Sequence, residues 1–390
     1  MKSRMNGILL TLVLGAMMAL APAAHGEGEW KEEFRVRPGQ KIKLEMDYAG
    51  SLEVVGTDQD EVRITCTANM NDIEDWDIEV KETSYGLFLS AELDGRIIES
   101  RFVVVLEVPR EFDIETNSGG GHIFISNVTG KFDGRTAGGA ITLKGLTGEA
   151  HLRTGGGFIR IEDSELNGKV SSGGGGGLMK NVVGSLDAYS GGGVFSYENL
   201  RDRDGDFRVP GDFKPTKTFA GTIIKYTTGG RIKVNEAPEG ALVSTGGGNI
   251  LIRNASEFVH AKTGGGDIEI EIEDGPVSAR TGGGDVEVIV IEGLGDDGDD
   301  ISINTGWGDV TLVLPADASV EFDLDLAYTR KSSRDFEIIS DFDLDLEHTT
   351  RWESRNGSPR KHIFGTATIN GGKHKVIING VNGDIRIEKR

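Results

Sequence analysis

Cysteine is almost missing from this chain: Cys66 stands alone, so no disulfide can form within it. Lying in the strand-like run 62–66, it reads as a small core hydrophobe. Proline is scarce as well, with 9 residues against 58 glycines, and glycine does not recur at every third position. Collagen is thereby excluded. Positive charge is in short supply, 42 Lys and Arg against 63 Asp and Glu, for a net charge of −21. Such a chain repels nucleic acid and anionic headgroups at long range, so nucleic acid is not an expected partner. Beyond Leu20 no apolar run is long enough to cross a bilayer; 102–108 is of strand length. No stretch has the periodicity of a long amphipathic helix.

What is present begins with an export signal. Lys2 and Arg4 precede an apolar stretch over 8–20, and small residues follow at 21–24. Residues 1–26 are therefore expected to be a signal peptide, leaving no transmembrane segment after cleavage. The expected location is the periplasm, the outer surface or the extracellular space.

The glycines form a register. Glycine-rich turns open at Gly119, Ala137, Gly155, Gly173 and Gly191, and again at Thr228, Gly246, Gly264, Gly282 and Gly306. Within each set the interval is 18 residues, except that the last is 24. The 37-residue interval between the sets reads as two periods plus one residue, with one coil that has lost its glycines. The residue before every turn bears a hydroxyl, from Ser118, Thr136 and Thr154 through to Thr281 and Thr305. Apolar residues follow four and six positions into the turn, as in Ile123 and Ile125 or Ile268 and Ile270. A further apolar column lies five residues before the turn (Ile114, Phe132, Leu186, Val259, Val277), and another (Val128, Leu146, Val182, Leu200) follows the main strand. Spacing of two puts alternate residues on one strand face.

These columns predict an all-β fold: a single-stranded parallel β-solenoid, or β-helix, with coils of about 18 residues. A right-handed coil is favoured, because parallel crossovers take that hand. The left-handed hexapeptide helix would want an apolar residue every six positions, and Asp274 and Arg280 break that pattern after Ile268. Glycine is expected where φ is positive or where successive backbones approach too closely for a Cβ. The hydroxyls would form a ladder along the stack. The expected division is 27–115 as an N-terminal β cap continuous with the solenoid, 116–315 as the repeat, and 316–390 as a C-terminal β cap. Strand-like segments of the first cap lie at 41–48, 51–55, 61–68, 76–81, 86–93 and 101–108. In the second, Asp323-Leu324-Asp325-Leu326 recurs as Asp343-Leu344-Asp345-Leu346.

Gly-Ser-Leu-Glu-Val at residues 50–54, Val-Pro-Arg at 108–110, the serial Thr-Gly-Gly-Gly-Asp-Ile/Val turns and the closing Gly-Asp-Ile-Arg-Ile give the chain a resemblance to the bacterial putative-adhesin domain family of unknown function. The resemblance covers about 34–388. It implies a β-solenoid of the envelope or cell exterior, and its motifs carry no chemistry.

Catalytic constellations are not apparent. Arg231-Ile232-Lys233 matches a motif of pectin hydrolases, yet its Ile fills the core column, and the acidic pairs Asp296-Asp297 and Asp299-Asp300 come in the wrong order. His122, His151, His260, His348, His362 and His374 lack metal-ligand spacing, and no phosphate-binding loop carries a following Lys-Ser/Thr. No cofactor is expected. Asp267 and Asp285 share one column and Glu269 and Glu287 another, with Asp309 following, so an acidic patch results that a cation such as calcium would relieve. A solvated acidic face is the simpler reading of these five residues. The leading functional expectation is a non-catalytic, adhesin-like envelope protein that presents a long surface to an envelope protein or glycan. A carbohydrate-active β-helix enzyme and a calcium-dependent binding module are the alternatives. The sequence leaves oligomeric state open.

Overall fold

The computed structural model describes residues 28–46, 50–69, 73, 76–93, 101–201, 221–295, 300–330, 335–353 and 358–390. The expected signal peptide lies outside them, as do Asp296, Asp297 and Asp299. Every element with a residue span among the described residues is a β-strand, and most pair in parallel. The chain is a β-solenoid.

Each coil contributes one strand before its glycine corner and one after. Before the corner, Asp113–Ser118, Thr129–Thr136, Thr147–Thr154, the end of Ile159–Ser172, and Leu186–Ser190 form one ladder. After it, Ile123–Ser126, Ile141–Lys144, the start of Ile159–Ser172, Gly177–Val183 and Phe195–Arg201 form the other. Equivalent residues face one another: Ile123, Ile141 and Ile159 are successive partners. These three residues are 0–1% exposed. A strand face buried this completely is what a two-residue apolar period produces when both of its neighbours are copies of itself. Gly177 breaks the column because Phe195 of the next coil fills the space; a Cβ there would lie 2.3 Å from that ring.

A second corner, opposite the glycines, is made by left-handed residues. Asn127, Gly145, Asp163, Asn181 and Asn199 recur at the same period with φ between 51° and 64°. Asn, Asp and Gly tolerate this region best. Asn181 Nδ2 donates to Asp163 Oδ1 at 2.8 Å, and Asn199 Nδ2 to Asn181 Oδ1 at 2.9 Å, so part of the corner carries its own amide ladder.

No coil is stacked between the two corners that flank the 37-residue interval, where a coil without glycines was expected. Thr228 N donates to Ser190 O at 3.3 Å and Thr227 Oγ1 to Gly192 O at 3.4 Å, so the next glycine corner sits directly on the corner at 191–193. The strands there turn away from the parallel register. Ile223–Thr227 pairs antiparallel with Phe195–Arg201, Phe195 opposite Tyr226 and Tyr197 opposite Ile224. From this junction two new ladders run on. One contains Ile223–Thr227, Ala241–Thr245, Val259–Thr263, Val277–Thr281 and Ile301–Thr305. The other contains Ile232–Val234, Ile250–Ala255, Ile268–Ile272, Val286–Val290 and Val310–Leu314. Two cores result, and the junction strands serve both: Ile224 and Leu242 pack into the first, Ala241 and Val243 into the second.

Both ends are closed by strands taken out of chain order. Lys41–Met46 lies between Gly86–Leu93 and Asp113–Ser118, and Ser51–Thr57 between Arg101–Pro109 and Ile123–Ser126. At the other end His374–Val381 lies between Ile301–Thr305 and Val320–Thr329, and Ile385–Lys389 between Val310–Leu314 and Ile338–Ser340. Antiparallel strands finish each end: Gly28–Arg35, Glu61–Asn69 and Trp76–Thr83 at one, Arg360–Ile369 and Asp345–His348 at the other. The two Asp-Leu-Asp-Leu copies diverge. Leu324 and Leu326 are fully buried, whereas Leu346 is 46% exposed.

Candidate functional site

The glycine corner is the feature that most invites a functional reading, and its polar atoms are consumed internally. Thr281 Oγ1 donates to Gly266 O of the preceding coil at 2.8 Å and accepts from Gly284 N of its own corner at 3.1 Å. The same pair of bonds recurs at Thr154, Ser172, Ser190, Thr245 and Thr263. The ladder is thus hydroxyl to backbone, not hydroxyl to hydroxyl. Each of these side chains is buried, so a missing partner leaves a peptide group without water. Thr281→Val keeps the shape and orphans Gly266 O and Gly284 N; we expect a loss of about 2 kcal/mol in urea unfolding. Thr281→Ser should stay within about 0.5 kcal/mol of the parent.

Close approach, not left-handed φ, explains the first and third glycines of these corners. The corner residues 155–157 and 264–266 have no positive φ. A Cβ on Gly157 would lie 1.9 Å from Gly139 O, and one on Gly266 would lie 2.2 Å from Gly248 O. The middle glycines Gly156, Gly247, Gly265 and Gly283 face open space. Trp307 occupies that middle place in its own corner and stands 59% exposed.

The acidic residues singled out from sequence fall in two columns. Asp285 N donates to Asp267 Oδ1 at 3.0 Å, Asp309 N to Asp285 Oδ1 at 2.8 Å, and Asp384 N to Asp309 Oδ1 at 2.8 Å. Asn249 opens the series by accepting from Asp267 N at 3.2 Å. Each carboxylate therefore satisfies the backbone N–H that the next corner leaves without a ladder partner. Glu269 and Glu287 are register partners on the neighbouring strands, and Arg253 reaches Glu269 at 3.3 Å and Glu271 at 3.2 Å. Among the described residues no three His, Cys, Asp or Glu side chains cluster as a metal would need. The carboxylates act as backbone caps. Asp285→Asn should accordingly leave stability within about 0.5 kcal/mol, and Asp285→Ala should cost about 1–2 kcal/mol.

The remaining candidates are dispersed. Arg231 and Lys233 are exposed on either side of the fully buried Ile232. Lys225 is half-buried, donates to Lys233 O at 2.9 Å, and burial lowers its pKa. His122 Nδ1 accepts from Ala140 N at 2.9 Å, His151 lies 3.5 Å from Asp133, and His362 Nδ1 lies 2.7 Å from Asp325. Burial depresses the pKa of His260, whose ring centroid lies 5.8 Å from that of Phe258. Cys66 is fully buried, and desolvation pushes its thiol up to about 12, far from the thiolate a nucleophile requires. The left-handed Asn and Asp column is the structural site that sequence reading missed. Its signal was available: only Asn, Asp or Gly stands immediately before Val128, Leu146, Ser164, Val182 and Leu200.

No family model matches the chain, and no curated protein matches it. Among solved structures, a putative cell adhesion protein from Clostridium sporogenes aligns at 9% identity over 93% of this chain and 100% of its own, with a TM-score of 0.18. A putative adhesin from Bacteroides fragilis aligns at 10% identity over 92% of this chain and 96% of its own, with a TM-score of 0.23. Neither superposition is close enough to bear on fold or function.

Proposed function

We propose that the protein is a non-catalytic, exported component of the cell envelope that works in the manner of an adhesin, offering a long regular surface to an envelope glycan or protein. The observation that carries this reading is the destination of the repeated polar groups. Corner hydroxyls and corner carboxylates are bound coil to coil, and the histidines are scattered among separate partners. What repeats along the axis is architecture, and what remains for a ligand is the outside of the ladders. Stacked at ~4.8 Å per coil, ten coils give a face of roughly 50 Å.

Fractionation of cells expressing the tagged full chain tests export, and co-sedimentation of the purified protein with isolated envelopes tests the interaction. Recovery in the cytosol, or no sedimentation above the level of an unrelated acidic protein, would remove the proposal. Calcium addition separates this reading from a calcium-dependent module. The expected result is an unfolding midpoint that does not move at millimolar calcium, in the parent or in Asp285→Asn; a calcium-dependent rise in the parent that Asp285→Asn abolishes would favour the module.

A further inference from the structure

Five aromatic side chains are exposed among the described residues, and four of them are covered by a cation. Lys41 Nζ lies 4.9 Å from the ring centroid of Tyr85, and Arg160 Cζ 5.8 Å from that of Phe158. Lys169 Nζ lies 4.7 Å from the centroid of Tyr189, and Lys361 Nζ 5.3 Å from that of Trp352. Each cation shields a face of its ring and is held by it. Trp307 is the exception. It is the most exposed of the five, at 59%, and no cation, ring or hydrogen-bond partner holds its indole among the described residues.

The array needs no side chain at this place. Gly306 and Gly308 lie against the carbonyls of Gly282 and Gly284, so Trp307 follows directly on Gly283, where a Cβ would meet nothing within 4 Å. On the other side Asn382 turns inward, 5% exposed, its Oδ1 accepting from Thr329 N at 2.8 Å. The indole is left bare by both neighbours. Hydrogen-bonding groups flank it instead. On the strand leading into the corner, Asn304 lies between its register partners Arg280 and Asn379, and Asn379 Nδ2 donates to Asn304 Oδ1 at 3.2 Å. On the way out stand the capping carboxylates Asp285, Asp309 and Asp384. Asn304 is three residues before Trp307 and Asp309 two after it, so both flanks begin within about 10 Å of its Cα.

Resting on the interaction role proposed above, we infer that Trp307 is the platform of a binding site for a neutral glycan, one pyranose ring of which stacks on the indole. One face of such a ring is a plane of C–H groups, which packs on the negative face of an aromatic ring, while its hydroxyls point outward to polar groups at the rim. Amides and carboxylates, each able to engage two neighbouring hydroxyls, stand here on opposite sides of the ring. The carboxylate flank selects against an acidic sugar, because Asp285, Asp309 and Asp384 repel it. A bilayer suits the site poorly, since one tryptophan bordered by carboxylates lacks the apolar face and the basic residues that seat a protein on lipid.

The test is affinity electrophoresis of the full chain in native gels containing mannan, dextran, laminarin or galactomannan, all neutral, with polygalacturonate as an acidic arm. The expected result is retardation by at least one neutral glycan, persisting at high salt. Trp307→Ala should bind about tenfold more weakly or worse, and Trp307→Tyr should retain binding. Both should keep the parent's unfolding midpoint, since Gly283 fills the same place in its corner with no side chain. Trp352→Ala, at a ring already held by Lys361, should bind as the parent does. Retardation by polygalacturonate alone or by no neutral glycan, undiminished glycan binding by Trp307→Ala, or a lowered midpoint in that variant would overturn the assignment. So would sedimentation with phosphatidylcholine vesicles that Trp307→Ala abolishes. If the parent sediments with envelopes while no neutral glycan retards it, the platform falls alone and the broader role stands; failure of the parent to sediment removes the broader role itself.

Discussion

Gly266→Ala should unfold the array, while Gly265→Ala, one residue away, should be harmless. The added methyl at Gly266 would sit 2.2 Å from Gly248 O and 2.4 Å from Gly248 C. Those atoms are backbone, locked in the preceding coil, so no rotamer change relieves the clash. We expect a cost above the ~1–3 kcal/mol usual for overpacking, seen as aggregation or loss of the cooperative urea transition. At Gly265 nothing lies within 4 Å of the new Cβ and φ is not left-handed. There alanine restricts the unfolded chain at no native cost, and stability should hold or rise by up to about 1 kcal/mol. Equal destabilisation by the two would mean that the glycines serve conformation, and the close-approach account would fail.

Leu242→Ala should loosen both halves of the molecule together. Ala241, Leu242 and Val243 are all 0% exposed, so the strand Ala241–Thr245 is buried on both faces. Leu242 joins the core that begins near the N-terminal end, and its neighbours join the other. Truncating a fully buried leucine costs about 2–5 kcal/mol. Since the junction strand cannot retreat from one core without exposing the other, hydrogen exchange should accelerate in Phe195–Arg201 and in Ala241–Thr245 to a similar extent. Faster exchange confined to one of them would show two independently unfolding stacks.

The parts of this fold that could be read from sequence are those where a residue is answered by its own copy. Ile141 meets Ile123 and Ile159, so the core columns, the hydroxyl column and the glycine column repeat visibly. The N-terminal strands Lys41–Met46, Ser51–Thr57, Glu61–Asn69, Trp76–Thr83 and Gly86–Leu93 were legible too by alternation of period two, and Arg101–Pro109 by its apolar run. Pairing between unlike partners was not. Nothing local tells Lys41–Met46 to enter between Gly86–Leu93 and Asp113–Ser118, since that order depends on which edges the finished sheet leaves free. The junction was misread for a related reason. An interval of 37 residues fits a decayed coil numerically, and only the bond from Thr228 to Ser190 reveals that no coil intervenes. The acidic column was visible as a column, but its role needed the offset between coils that brings Asp267 Oδ1 to Asp285 N.

The intercalated end strands carry a consequence for how the molecule comes into being. Ile385–Lys389 is made after Ile338–Ser340, yet it is the slab between that strand and Val310–Leu314. A nascent chain that has reached residue 340 therefore lacks the middle leaf of its own terminus. The finishing strands must wait with an unfilled slot until the ribosome has delivered the closing residues.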